Sequence, residues 1–204
     1  MILLLGAAMA GQVEIVVEQT INAPASAVMA TLGDFGTWKE WSAWNQVVFP
    51  ECVWTYEGEA GTVGHAVSWE GPKCKTGSMA ATAISDSSFA YDLFFGKSDA
   101  NWPSTLTVAE ADGVSTVAWT MTGELGFFMS LFSGAMEKAI TLDYTVGLAG
   151  LKARVETEQV EAAAAAAVEA ATEAVDDAVE EADEAVEGAV DEAAAPVEEA
   201  ADSE

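Results

Sequence analysis

Basic side chains are scarce in this chain: seven Lys and Arg stand against 34 Asp and Glu over 204 residues, a formal charge of −27. Phosphate contacts need Lys and Arg gathered on one surface, so nucleic acid is excluded as a partner. Histidine occurs once, as His65, which rules out a His-rich metal site and a second-histidine relay. Two cysteines, Cys52 and Cys74, allow one disulfide and no zinc cluster. No stretch matches G-x-S-x-G, a P-loop or a dinucleotide fingerprint, and neither a metal nor a cofactor is expected. Long apolar runs are missing too. The opening "MILLLGAAMAG" is shorter than the roughly 20 residues that span a bilayer, and it lacks the basic start of a signal peptide. Residues 1–12 therefore read as an apolar lead-in to the first strand, and the protein as cytoplasmic. Residues 1–10 would contact a membrane, and the protein be membrane-associated, only as the remnant of a longer anchor.

The acidity is uneven. Residues 1–155 carry 16 acidic and 7 basic side chains, whereas 156–204 carry 18 acidic and none basic. A mildly acidic domain over 13–156 is thus followed by a strongly acidic tail over 157–204. Within the tail, "EAVDDAVEEAD" (173–183) and "EAVEGAVDEAA" (184–194) are versions of one 11-residue unit. Val168, Val179 and Val190 fall 11 apart, as do Val175, Val186 and Val197, which keeps an apolar stripe nearly straight along a helix. Alanine favours that helix. Glu169, Glu173, Asp177 and Glu181 form a like-charge i,i+4 ladder that opposes it, so the tail is expected to be helical or disordered, with partial helicity at neutral pH. Solvation, weak self-association along the Val/Ala seam, and docking to a basic partner are its open uses.

Upstream, "VEIVVEQTI" has strand composition, and Pro24 with Ser26 suits the start of a helix in "NAPASAVMATLGDF". In "WKEWSAW", Trp38, Trp41 and Trp44 are three apart, which alternates faces on a strand but shares one side of a helical turn. Six strand-like runs follow. In "SSFAYDLFFG", Phe89, Tyr91, Leu93 and Phe95 alternate onto one face, and Val117, Trp119 and Met121 do so in "VSTVAWTMTG". One apolar and one polar face describe an antiparallel sheet covered on one side. The cover is expected from a long helix over about 127–155, where Phe128, Phe132, Met136, Ala139, Ile140, Leu151 and Val155 make a stripe. Gly147 and Gly150, costly inside a helix, imply either close packing on the sheet or room left for something else. Cys52 and Cys74 would start strands flanking a common neighbour, about 10 Å apart, so free thiols are expected.

The words "INAPASAVMATLGDFGTWKEWSAW", "YEGEAGTVGHAVSWEG", "CKTGSMAATAI", "FAYDLFF", "VAWTMTGEL" and "DYTVGLAGLKARVE", in this order over residues 13–156, resemble the START-like (SRPBCC) superfamily. Within it they resemble the polyketide cyclase/dehydrase-like group of small bacterial proteins. The resemblance implies an α+β helix-grip fold, with a seven-stranded antiparallel sheet curled around a long C-terminal helix and a cavity between. It makes the tryptophan segment part of the scaffold and cavity rim. It also implies an apolar cargo such as a lipid, sterol or polyketide, since a minority of such proteins are enzymes.

With strict alternation, Val63, His65, Val67 and Trp69 share the inward face. Trp54, Tyr56, Phe89, Tyr91, Leu93, Trp119 and Met121 would line the same space, with Phe132 and Met136 facing them from the helix. An apolar pocket with few polar groups is the usual form of a small-ligand site. Non-catalytic binding of a lipid-like or aromatic molecule is the leading expectation. His65 is the one candidate for catalysis, as a proton-handling group with Tyr56 or Tyr91 in a cyclase or dehydratase. The third reading is an interaction module working through the acidic tail.

Overall fold

The computed structural model describes residues 12–96, 100–124 and 133–193. The chain divides into two units between Gln159 and Val160. The first begins with β1 (Gln12–Ile21), α1 (Ala25–Leu32) and α2 (Phe35–Trp41). Strands β2 (Val53–Glu57), β3 (Ala66–Gly71), β4 (Lys75–Ser85), β5 (Ser88–Phe95), β6 (Ser104–Ala111) and β7 (Val114–Glu124) follow, and then α3 (Ser133–Ala193). All seven strands form one sheet in the order β1-β7-β6-β5-β4-β3-β2, antiparallel throughout. Together with α3 this is the helix-grip architecture.

Local chemistry explains the joints. Asp34 caps α2 by accepting the Gly36 N–H at 2.7 Å. Asp112 and Gly113, both at positive φ, make the two-residue turn between β6 and β7, the geometry that tight hairpins prefer. A bulge between Ala81 and Ala83 interrupts the β4–β5 ladder, and such bulges bend and twist the strand that carries them.

The covered face of the sheet follows the alternation. Phe89, Tyr91 and Leu93 of β5 are buried, as are Val117, Trp119 and Met121 of β7. From α3, Tyr144, Leu148, Leu151 and Val155 complete the core, with Met136 and Ile140 partly buried. Ala139, expected on this stripe, is exposed. Phe128 and Phe132 lie outside the described residues. Gly147 and Gly150 serve close approach: a Cβ on Gly147 would lie 3.0 Å from the Trp119 ring.

Cys52 and Cys74 form a disulfide with a Cα–Cα distance of 6.1 Å, and no free cysteine remains. This corrects the expectation of free thiols. Cys74 does not start a strand. It sits in the turn that carries β3 into β4, and that turn folds back over the end of β3, where Cys52 precedes β2. A hypothetical Cβ on Gly71, the last residue of β3, would meet both the Cys74 sulfur and the Cys52 Cα at 2.9 and 3.2 Å.

In the second unit, residues 160–193 are helical, Gly188 included. Val168, Val175, Val179 and Val186 of the repeat are exposed. Residues 1–11 of the apolar lead-in expected over 1–12 lie outside the described residues, as do Pro196 and Val197, while Gln12 already opens β1. No described helix is long and apolar enough to cross a membrane.

Candidate functional site

Between the sheet and α3 lies a cavity of about 80 Å³. Its sheet wall comes from Trp54 of β2, Trp69 of β3, Met79 of β4, Tyr91, Leu93 and Phe95 of β5, and Trp119 and Met121 of β7. Alternation puts these side chains on one face. Ile140, Asp143 and Tyr144 close it from α3, and Trp38, Ser42, Ala43 and Trp44 from α2 and the segment after it.

The tryptophans of "WKEWSAW" thus divide between two duties. Trp38 and Trp41 lie on α2 and are buried, with ring centroids 4.9 Å apart. Ser42 ends the helix, so Trp44 falls beyond it. Its ring stacks on Phe49 at 5.2 Å, and its indole N–H donates to the Asp143 carboxylate at 3.2 Å. Packing claims the first two, and the cavity rim claims the third and one edge of Trp38.

The polar groups of the wall form two sets. Trp119 stacks on Tyr144 at 3.9 Å and donates its indole N–H to the Tyr91 hydroxyl at 3.0 Å. The Tyr144 hydroxyl pairs with Ser104 at 3.2 Å. Burial raises the Tyr91 hydroxyl well above its ordinary value and pushes Tyr144 up to about 12, so both stay protonated at neutral pH. Burial also raises Asp143, and the bond from Trp44 partly opposes that. The second set is Trp54 and Trp69, partners across β2 and β3 with centroids 5.7 Å apart. Their indole nitrogens are buried and have no hydrogen-bond partner among the described residues.

Of the residues expected at the site, Trp54, Trp69, Tyr91, Leu93, Trp119 and Met121 line this cavity. Val67 and Phe89 are buried in the core instead, and Met136 packs against it. Tyr56 is half-buried, with Lys39 near its ring. Phe132 lies outside the described residues. His65 does not line the cavity. It precedes β3, in the turn-rich stretch after Gly64, and strict alternation fails there: Val63, expected inward, is 63% exposed while His65 is 3% exposed. The His65 Nε2 accepts the Phe35 N–H at 3.2 Å, and Nδ1 lies 3.1 Å from the Glu57 carbonyl. The pair of bonds requires the Nδ1–H tautomer and ties the start of α2 to the end of β2. The Asp34 carboxylate lies 3.7 Å from Nε2.

Sequence reasoning missed Asp143 and Tyr144. Tyr144 was findable, since Ile140, Tyr144, Leu148, Leu151 and Val155 recur at spacings of four, four, three and four. Asp143 gave no signal beyond being an acid on a helix. Met79 went unmarked because β4 is rich in small residues and its alternation is blurred by the bulge.

An antiparallel sheet gripping a helix, with an aromatic cavity between them, defines a START-like domain. The chain belongs to the SRPBCC-type family described as polyketide cyclase / dehydrase and lipid transport, whose sequence model matches residues 12–156. Solved structures with this fold include the protein TTHA0849 from Thermus thermophilus, at 18% identity and TM-score 0.55 over 71% of this chain and 98% of that one. Protein CV1439 from Chromobacterium violaceum is similar at 13% identity and TM-score 0.51, over 70% of this chain and 96% of that one. The Aha1 dimer from Colwellia psychrerythraea gives 16% identity and TM-score 0.51, over 70% and 96%. At these identities the likeness is one of fold. No curated protein matches the chain.

Proposed function

We propose that this protein binds a small apolar molecule, aromatic or lipid-like, in the cavity between sheet and helix, and does so without catalysis. The carrying observation is a wall built almost wholly of aromatic and aliphatic side chains drawn from every layer of the domain. Ligand sites commonly have this character, with a few polar groups to fix orientation. At about 80 Å³ the cavity is well below the roughly 300–1,000 Å³ of drug-sized pockets. That size favours a single small ring, or partial insertion of a longer ligand.

The groups able to handle protons support binding over turnover, and Asp143 of the wall is engaged by the Trp44 indole N–H. His65 spends both ring nitrogens on backbone groups away from the cavity. Tyr91 and Tyr144, which do line it, are held far above the neutral range where general acids and bases work best. The disulfide bears on residence: such bonds are rare in the cytosol, so it favours an oxidising compartment over the cytoplasm expected from the N-terminal sequence.

Native mass spectrometry of the full chain, purified without detergent and run beside its organic extract, tests the reading. A reproducible small-molecule adduct supports it. A clean apo mass that takes up no aromatic or fatty-acid probe overturns it.

A further inference from the structure

Four of the interior indoles are satisfied within the fold. Trp38 donates to the Leu32 carbonyl at 3.0 Å and Trp41 to the Thr37 hydroxyl at 3.1 Å. Trp44 and Trp119 donate to Asp143 and Tyr91. Trp54 and Trp69 are the exceptions, with buried Nε1 atoms and no acceptor among the described residues. A buried donor left unpaired is costly, and indole N–H groups usually find a partner when enclosed. Both exceptions occur at one place: the two residues are directly opposite in the β2–β3 ladder, and both line the cavity.

Their position is firmly held. Trp69, 6% exposed, lies across Gly77 of β4, where a Cβ would come within 2.3 Å of its ring. Gly77 is its direct partner in the β3–β4 register, so the indole has a slot that any larger residue would fill. Trp54 packs against Trp69 from the neighbouring strand, the two ring planes tilted by 38°. The disulfide joins the residue just before β2 to the turn just after β3, pinning the strand ends that carry both indoles.

We infer that Trp54 and Trp69 form an acceptor-binding subsite, so that the ligand is an aromatic or apolar molecule bearing a carbonyl-type oxygen that receives one or both indole N–H groups. This rests on the cavity being a ligand site, and it narrows the ligand class: a pure hydrocarbon leaves both donors unpaired, whereas a ketone, quinone or ester satisfies them. Tyr91 and Tyr144, already engaged with Trp119 and Ser104, are not needed for that oxygen.

Acetophenone and ethylbenzene have nearly the same shape and differ by the oxygen, so they isolate this contact. Both are titrated into the full chain labelled with ¹⁵N-tryptophan, and the indole N–H resonances are followed. Acetophenone is expected to bind roughly tenfold more tightly, the net worth of one ordinary hydrogen bond, and to move the Trp54 and Trp69 indole protons downfield. Trp54→Phe together with Trp69→Phe keeps ring surface without the donors; it should bring the two affinities within about twofold while ethylbenzene binding persists. Equal affinities in the unaltered chain, with both indole resonances unmoved by the ketone, overturn the subsite and leave the apolar cavity standing. Failure of both probes to bind at all overturns the subsite and the binding reading beneath it.

Discussion

Gly150 on α3 faces the carbonyl oxygen of Trp41 so closely that a Cβ on it would lie 2.1 Å away. Backbone meets backbone there, with no flexible side-chain end to give way. The helix and the tryptophan segment are thereby seated against one another, and the cavity rim formed by Trp44 depends on that seating. Gly150→Ala gains about 1 kcal/mol of helix propensity but must push two elements apart, and overpacking costs about 1–3 kcal/mol or more. A net loss of roughly 2 kcal/mol is expected from urea denaturation. Gly134→Ala, with open space around its Cα, should leave stability unchanged or slightly raised. Equal behaviour of the two variants would contradict the close approach.

Reduction should matter. The bridge between Cys52 and Cys74 closes a loop with a sequence separation of 22, and loops of that length gain about 3 kcal/mol from cross-linking on chain-entropy grounds. Unreduced protein should weigh two mass units (about 2 Da) less than the reduced form, and dithiothreitol should lower the denaturation midpoint. An unchanged midpoint after verified reduction would show that the bond does little for the fold.

His65 links Phe35 to Glu57 rather than facing the cavity. His65→Ala strands a buried backbone N–H and opens a hole beside Phe35, whose ring stacks on the imidazole at 5.2 Å. A loss of roughly 2–4 kcal/mol is expected, with ligand affinity preserved in conditions where the variant remains folded. Thermal melts and probe titration together check this. Collapse of affinity with an intact melting point would restore His65 as a ligand residue.

Asp143 supplies a pH dependence of definite sign. Burial raises its folded-state pKa above the unfolded value, so the native chain holds this proton more tightly. Stability from this group is therefore fully present below the ordinary aspartate range and lost as pH rises through the raised value. Asp143→Asn keeps an amide oxygen for the Trp44 N–H and removes the titration. Denaturation midpoints between about pH 4 and pH 7 should fall less steeply with pH in the variant than in the parent. A steeper fall in the variant would reverse the assigned sign.

Much of the fold was legible along the chain because periodicity carries it. Phe89, Tyr91 and Leu93, or Val117, Trp119 and Met121, alternate so regularly that their shared buried face needs no further information. Legibility ended where the backbone leaves regular geometry. Gly64 at positive φ and the turn before β3 broke the parity that had linked Val63 to His65. The turn after Gly71 carried Cys74 off the strand grid, and the 10 Å spacing argument failed with it. Bulges and turns change parity by one residue, and one residue reverses every side chain beyond it.

Composition and pattern alone determined that this chain has an acidic, repeat-built tail and that one face of an antiparallel sheet is covered by a helix. Those properties follow from charge counts and spacings of two, three, four and eleven, which are local. Tertiary structure decided the rest. It paired Cys52 with Cys74, turned His65 to the backbone, brought Asp143 to Trp44 across a sequence separation of 99, and left the Trp54 and Trp69 indole N–H groups without a partner among the described residues. Each depends on which distant group arrives beside which, and no local spacing encodes that.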